Sequence, residues 1–458
     1  MKWDGRISLA LATVAALFST VGTPSAKAQG QKPNVVFILG DNIGYGDMGP
    51  YGGGELRGYP TPNADRLARE GLRLTQFLVE STCTPSRAAL MTGQYSIRNG
   101  LSLISSPGSP NQLPGKAYTM GQLFKDAGYA TAIFGKWHLG ADAQSLPSAH
   151  GFDEFYGIPP NTSWNDAITV PLIMMTHSFN APESVLIEKG PWIMQQKGGG
   201  PLERVKPYTV EVREEIDNDL TDRSIAFMKQ QHAAGKPFFV YLPFSMGHAP
   251  NYPSKQFAGK SRIGQYGDKM MEGDYHVGQV LDTLKELNVD DNTIVVFASD
   301  NGPSGWILRE LGNLGSPDMG SPGPFRGELG EATEGAIRTF CFIRWPGHIA
   351  PNTTSYAMFS EMVPADLRGD PRGQVAYGSS DRRCGPIRSA FWQEQHWGPR
   401  VAAHLHRPGS GGRSMETMAL LLQRHAPDRH GAANARRDVR DRRTDVVPEG
   451  LQHRNGST

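Results

Sequence analysis

Four apolar runs along the chain each stop at a polar cluster, and helical patterns fill the spaces between them. Val35–Leu39 ends in Gly40-Asp41-Asn42. Tyr129–Phe134 leads into Gly135-Lys136-Trp137-His138-Leu139-Gly140, and Phe238–Leu242 is followed by Ser245-Met246-Gly247-His248-Ala249-Pro250. Thr293–Ala298 leads into Asp300-Asn301-Gly302. Unbroken apolar runs of this length suit strands buried on both faces. A fifth strand is read at Thr339–Arg344. One helix is opened by Thr61-Pro62 and closed by Gly71, and a second covers Thr119–Ala127 before Gly128. A third runs from a Thr221 cap to Ala234 before Gly235, and a long fourth covers Asp268–Leu287. The Thr, Pro and Gly boundaries are the ones helix ends favour. Residues 158–216 show no clear period, contain Trp164, Trp192 and Gly198-Gly199-Gly200, and are read as an irregular substrate-facing rim.

The recurring order of strand, polar cluster, helix and strand predicts an α/β fold with a mostly parallel central sheet flanked by helices on both faces. Ligands bind such sheets beyond the carboxyl ends of their strands. The pattern therefore gathers Asp41/Asn42, Lys136/His138, His248 and Asp300/Asn301 at one end of the sheet. Lys136 and His138 alternate on a segment read as extended, so both face one side.

Composition adds limits. The chain has 458 residues and a formal net charge of +1, so no global charge bias points to nucleic acid. Cys83, Cys341 and Cys384 are too few for a disulfide framework, and Cys341 sits in an apolar run as a core residue. Residues 1–28 read as a secretory signal: Lys2 and Arg6, the apolar stretch Ile7–Val21, and a cleavage site at Ala26-Lys27-Ala28. The stretch is short for a membrane span, which needs about 20 residues. Export to the periplasm or medium is expected, with no stable membrane insertion after cleavage.

Asp41, Asn42, Asp300 and Asn301 offer only oxygen ligands, which suit Ca²⁺ or Mg²⁺ and not zinc. Cys83 falls at a helix start, in Cys83-Thr84-Pro85-Ser86-Arg87-Ala88-Ala89-Leu90-Met91-Thr92-Gly93. Pro85 fits a first turn, and the helix N-terminus with Arg87 favours an anion there.

Those eleven residues resemble the type I sulfatase signature C-x-P-S-R-x-x-L-x-T-G, and Gly135–Gly140 looks like the second signature of that alkaline-phosphatase-like family. The resemblance implies that a formylglycine-generating enzyme oxidises Cys83 to formylglycine. It implies a divalent ion, Ca²⁺ or Mg²⁺, on Asp41, Asn42, residue 83, Asp300 and Asn301. It implies that Lys136 bonds the formylglycine, that His138 handles its proton, and that His248 contacts the sulfate and its leaving oxygen. The implied reaction is hydrolysis of a sulfate ester. A hydroxyl of the hydrated aldehyde, polarised by the metal and Arg87, attacks sulfur, and His138 then takes a proton from the second hydroxyl to release sulfate. Two rival expectations are a phosphate or phosphonate monoester hydrolase with the same motif, and a catalytically impaired binding protein.

Two positions depart from the pattern. Asn42 stands where the family usually has a second Asp, and Leu329 stands where many relatives carry a sulfate-gripping lysine. The resemblance covers residues 33–365, expected as the catalytic domain. Residues 366–458 contain 16 Arg and no Lys, with a faint helical pattern at Met415–Leu422. They are read as a tail that is disordered or encoded out of frame from between about Met362 and Arg372, leaving the family's C-terminal subdomain missing or scrambled.

Overall fold

The computed structural model describes residues 32–105, 109–159, 191–304 and 320–360. The expected signal segment, the Arg-rich tail with Cys384, and residues 160–190 of the expected rim lie outside the described residues.

In chain order the strands are β1 (Asn34–Gly40), β2 (Leu72–Leu78), β3 (Ala130–Lys136), β4 (Glu154–Ile158), β5 (Trp192–Lys197), β6 (Glu203–Pro207), β7 (Phe238–Pro243), β8 (Thr293–Ser299), β9 (Arg338–Arg344) and β10 (Thr353–Ser360). The principal helices are α1 (Pro62–Glu70), α2 (Cys83–Thr92), α3 (Met120–Asp126), α4 (Val210–Ala233) and α5 (Gln265–Glu286). All ten strands form one sheet in the order β10-β2-β9-β8-β1-β7-β3-β4-β5-β6. The central strands β8, β1, β7, β3 and β4 pair in parallel. β9 runs against both its neighbours, and so does β5, so the sheet is mostly parallel as expected.

Alternate residues of β1 divide the core. Val36 and Ile38 pack on one side with Leu67 of α1, Phe227 of α4 and Val277 of α5. Val35, Phe37 and Leu39 pack on the other with Leu90 of α2 and Phe124 of α3. Burial on both faces is why these strands read as unbroken apolar runs.

Three local expectations change. The stretch read as periodless contains the β5–β6 hairpin and the first turns of α4. β6 is the edge strand, is mostly exposed and carries Arg204 and Lys206, while β5 beside it mixes buried Ile193 and Gln196 with Lys197, so no apolar alternation marks the pair. The glycine run lies in their connection: Gly198 and Gly199 adopt φ of 58° and 77°, left-handed values that glycine takes freely, and the Gly200 N–H donates to the Lys197 carbonyl at 2.9 Å. α4 begins not at Thr221 but at Val210, with Thr209 Oγ1 accepting the Val212 N–H at 3.3 Å. Thr221 is interior, and its hydroxyl donates to the Asp217 carbonyl at 2.7 Å, the alternative use of a threonine that resembles a cap in sequence.

Thr61 likewise provides no side-chain cap for α1. Asp274 of α5 does: its carboxylate accepts the N–H groups of Asn63 at 3.0 Å and Ala64 at 2.8 Å. Burial pushes Asp274 up to about 6 against these hydrogen bonds. Asp274→Ala would strand two donors at the α1–α5 contact, a loss of about 1–3 kcal/mol. Urea unfolding should show that loss as a lowered midpoint with an unchanged slope, while an unchanged midpoint would show that the cap does not hold α1.

Candidate active site

Three strand ends are tied together before any side chain acts. The Asp41 N–H donates to the Met246 carbonyl at 3.1 Å and the Asp300 N–H to the Gly40 carbonyl at 3.2 Å, joining the ends of β1, β7 and β8. Asn42 follows with φ 58°, a left-handed value that asparagine tolerates, and its N–H donates to Asp300 Oδ1 at 3.1 Å.

β3 delivers Lys136 at its last residue. The extended alternation expected to carry on to His138 ends there: His138 has φ 60°. It still reaches the cluster, lying within electrostatic range of Lys136, Arg87, Asp41 and His248. A non-glycine residue in that region stores strain and is held by its surroundings. One hold is the Thr84 hydroxyl, which donates to the His138 carbonyl at 3.1 Å.

α2 supplies the remaining groups and is buried at every residue. Cys83 is its first residue, with Sγ 3.4 Å from Asp41 Oδ1 and 3.6 Å from Asn42 Oδ1. Arg87, one turn on, donates to Asp300 Oδ2 through Nε at 3.0 Å and Nη2 at 2.8 Å, and to the Lys136 carbonyl through Nη1 at 3.1 Å. Its Nη2 also lies 3.3 Å from Asp41 Oδ2, and Lys136 Nζ lies 2.7 Å from that same oxygen. Asp41, Cys83 and His248 present ligand-type atoms within 4.8 Å of one another. All five expected catalytic residues and all the expected metal ligands therefore converge at the carboxyl ends of β1, β3, β7 and β8.

Electrostatics assigns protonation states. Burial alone would raise Asp41, but the charges of Lys136 and Arg87 outweigh it and hold the carboxyl well below the usual range. For Asp300, burial and the charge of Asp41 push upward against Arg87. Burial, helped by Lys136 and Arg87, keeps His138 neutral. His248 falls to about 3 through burial, with Lys136 and Arg213 acting in the same direction and Asp41 opposing. The helix start was expected to favour an anion at Cys83. Burial and the two carboxylates, Asp300 and Asp41, instead raise the thiol well above its ordinary value, so it stays protonated.

The donor set fits a hard divalent cation. Asn301 Nδ2 donates to Asn42 Oδ1 at 2.6 Å and to the Gly302 carbonyl at 2.8 Å, while its buried Oδ1 has no hydrogen-bond partner. A buried oxygen left without a donor, beside two carboxylates and a second amide oxygen, is what an oxygen-liganded ion requires. With neutral histidines, two carboxylates balance Lys136 and Arg87, so a divalent ion would make the cluster net positive and receptive to an anion.

Sequence reasoning missed Arg213, whose Nη2 donates to the His248 carbonyl at 2.9 Å, because it lies on the unrecognised start of α4. It also missed Tyr241, which lies against Arg87 but sits in an apolar strand where it reads as core. Leu329 is buried, its N–H donates to the Pro303 carbonyl at 2.8 Å, and the Gly330 N–H donates to the Ser81 carbonyl at 2.8 Å, so an apolar side chain stands on a segment bonded to the stretches that flank Cys83 and Asn301.

A family model described as Sulfatase matches residues 33–367. Among curated proteins, steryl-sulfatase of Mus musculus is 33% identical over 398 residues, covering 75% of this chain and 62% of that protein. N-acetylgalactosamine-6-sulfatase of Rattus norvegicus is 34% identical over 356 residues, covering 76% of this chain and 63% of that protein. The chain thus spans just under two thirds of the length of these relatives. The crystal structure of PsFucS1 sulfatase from Pseudoalteromonas sp. superposes with a TM-score of 0.65 at 34% identity, covering 79% of this chain and 70% of that one. The expected sheet with helices on both faces is therefore a fold shared with a solved sulfatase.

Proposed function

The chain belongs to the sulfatase family, and from that premise we propose that it hydrolyses sulfate esters at the cluster around Cys83. The observation that carries this reading is the convergence of Cys83, Arg87, Lys136, His138 and His248 with Asp41, Asn42, Asp300 and Asn301 in one buried site.

Cys83 oxidised to formylglycine and hydrated supplies a hydroxyl nucleophile for sulfur and a second hydroxyl whose deprotonation releases sulfate. Asp41, Asn42, Asp300 and Asn301 would hold Ca²⁺ or Mg²⁺, which supplies Lewis-acid polarisation of oxygen. The remaining work falls to the chain. Lys136 and Arg87 keep Asp41 ionised and provide fixed positive charge for sulfuryl oxygens, at full strength in a site removed from water. Neutral His138 is in the state needed to accept the proton of the second hydroxyl. His248 must gain the proton it gives to the leaving alcohol. An anionic ester beside the ring favours the imidazolium, so substrate arrival charges its own general acid.

The test is parallel turnover of an aryl sulfate and the matching aryl phosphate by chain coexpressed with a formylglycine-generating enzyme, with mass spectrometry of the Cys83 peptide. Sulfate turnover in proportion to the aldehyde content is expected. Preferential phosphate turnover, or activity carried by the unmodified thiol, would overturn the reading.

A further inference from the structure

Beneath the His248 loop lies a set of buried charges that the proposed chemistry does not use. Arg213 and Asp217, one turn apart on α4, and Lys269 and Glu272 on α5 are each no more than 4% exposed. Lys269 Nζ lies 3.2 Å from Asp217 Oδ2 and 2.9 Å from Glu272 Oε1, so the set is internally neutralised.

Its contacts share one destination. Asp217 Oδ1 accepts the Ser245 N–H at 2.8 Å, and Oδ2 accepts the Ser245 hydroxyl at 2.9 Å. Arg213 donates to the His248 carbonyl, and the His248 N–H donates to the Ser245 carbonyl at 3.3 Å, closing the turn between the two anchors. Glu272 Oε2 accepts the Ser254 N–H at 2.9 Å further along the same loop. Arg213 is itself held by Tyr208, whose hydroxyl lies 2.6 Å from Nη1. Buried ion groups are a weak source of stability, and apolar replacements often do as well or better. Here three of the four charges end on the backbone of the one loop that carries His248.

We propose that Arg213 and Asp217 are positioning residues for His248: they clamp the Ser245–His248 turn so that the imidazole meets the leaving oxygen of the ester. The role rests on sulfate ester hydrolysis as proposed above. A displaced general acid penalises poor leaving groups, which need the proton, and spares good ones. General loosening of the fold lowers both alike.

The experiment compares kcat/KM, which reports the step that expels the alcohol, on phenyl sulfate and para-nitrophenyl sulfate for the matured full chain. Arg213→Met should lose about tenfold more on phenyl sulfate than on para-nitrophenyl sulfate, a modest share of what general acids contribute. That differential should vanish in a His248→Ala background, where no acid remains to be positioned. Tyr208→Phe, which retains all the charges, should shift the ratio in the same direction by less and serves if Arg213→Met does not fold. Equal losses on both esters, in either variant, overturn the positioning role. A wild-type chain inactive on both esters would instead bring down the sulfatase reading, and this role with it.

Discussion

Cys83→Ser is expected to abolish sustained turnover while leaving the protein folded. The side chain is 4% exposed at the first turn of α2, and its Sγ lies 3.4 Å from Asp41 Oδ1. A serine hydroxyl fits that space and donates to the same carboxylate, so the stability change should stay within about 1 kcal/mol. Chemistry fares differently. Serine offers one hydroxyl, and once that oxygen is sulfated no second hydroxyl remains to expel sulfate. The variant should release at most one equivalent of alcohol per chain, with steady turnover reduced by roughly four orders of magnitude or more, as when other catalytic nucleophiles are removed. Steady-state and burst kinetics together with urea unfolding check this. A Cys83→Ser protein that cycles at a rate comparable to the matured chain would sink the formylglycine mechanism. The protonated, buried thiol points the same way, since a thiol beside two carboxylates is a poor nucleophile. Burial of all of α2 also means that, under the proposed maturation, the oxidation of Cys83 would precede closure of the fold over it.

The parts of this site that were legible in the sequence are those imposed by the sheet. β1, β8 and β3 are buried on both faces, so each appears as a largely apolar run whose end is marked by the first charged residue, and those residues are Asp41, Asp300 and Lys136. Parallel topology then brings the ends together without further information. What could not be read depends on contacts distant in sequence or on backbone conformation. The α1 cap is Asp274, more than two hundred residues from the helix it caps, while the local candidate Thr61 has its Oγ1 engaged by the Gly49 N–H. His138 lies near the cluster, but side-chain alternation says nothing about the left-handed turn at that residue. Arg213 and Asp217 belong to a helix whose opening turns follow a polar edge hairpin, so nothing marked them as inward-facing. Thr221 shows the converse failure, a strong local signal overruled because α4 was already formed before it.

The proposed metal site gives the second large effect, and the structure selects the substitution that tests it. Asp300 Oδ2 accepts two hydrogen bonds from Arg87, and Oδ1 accepts the Asn42 N–H. Alanine at this position would leave a buried guanidinium with Asp41 alone, and breaking such a pair costs about 3–5 kcal/mol. Loss of metal would then be inseparable from loss of fold. Asp300→Asn retains the volume and one acceptor oxygen but moves the cluster from neutral to a net charge of one. Repulsion between that charge and a divalent ion a few ångströms away should weaken Ca²⁺ or Mg²⁺ binding roughly a hundredfold or more at the effective dielectric of such sites. Asn42→Asp makes the opposite change: it adds a carboxylate where Asn42 now offers an amide oxygen, at a left-handed residue that aspartate also tolerates. It should bind the ion more tightly than wild type, and in combination with Asp300→Asn it should recover much of the lost affinity, because the charge count returns to its starting value. Calorimetric or chelator-competition titration of each variant measures this without reference to turnover. Affinities that do not move in opposite directions for Asp300→Asn and Asn42→Asp would show that these four residues do not hold the ion.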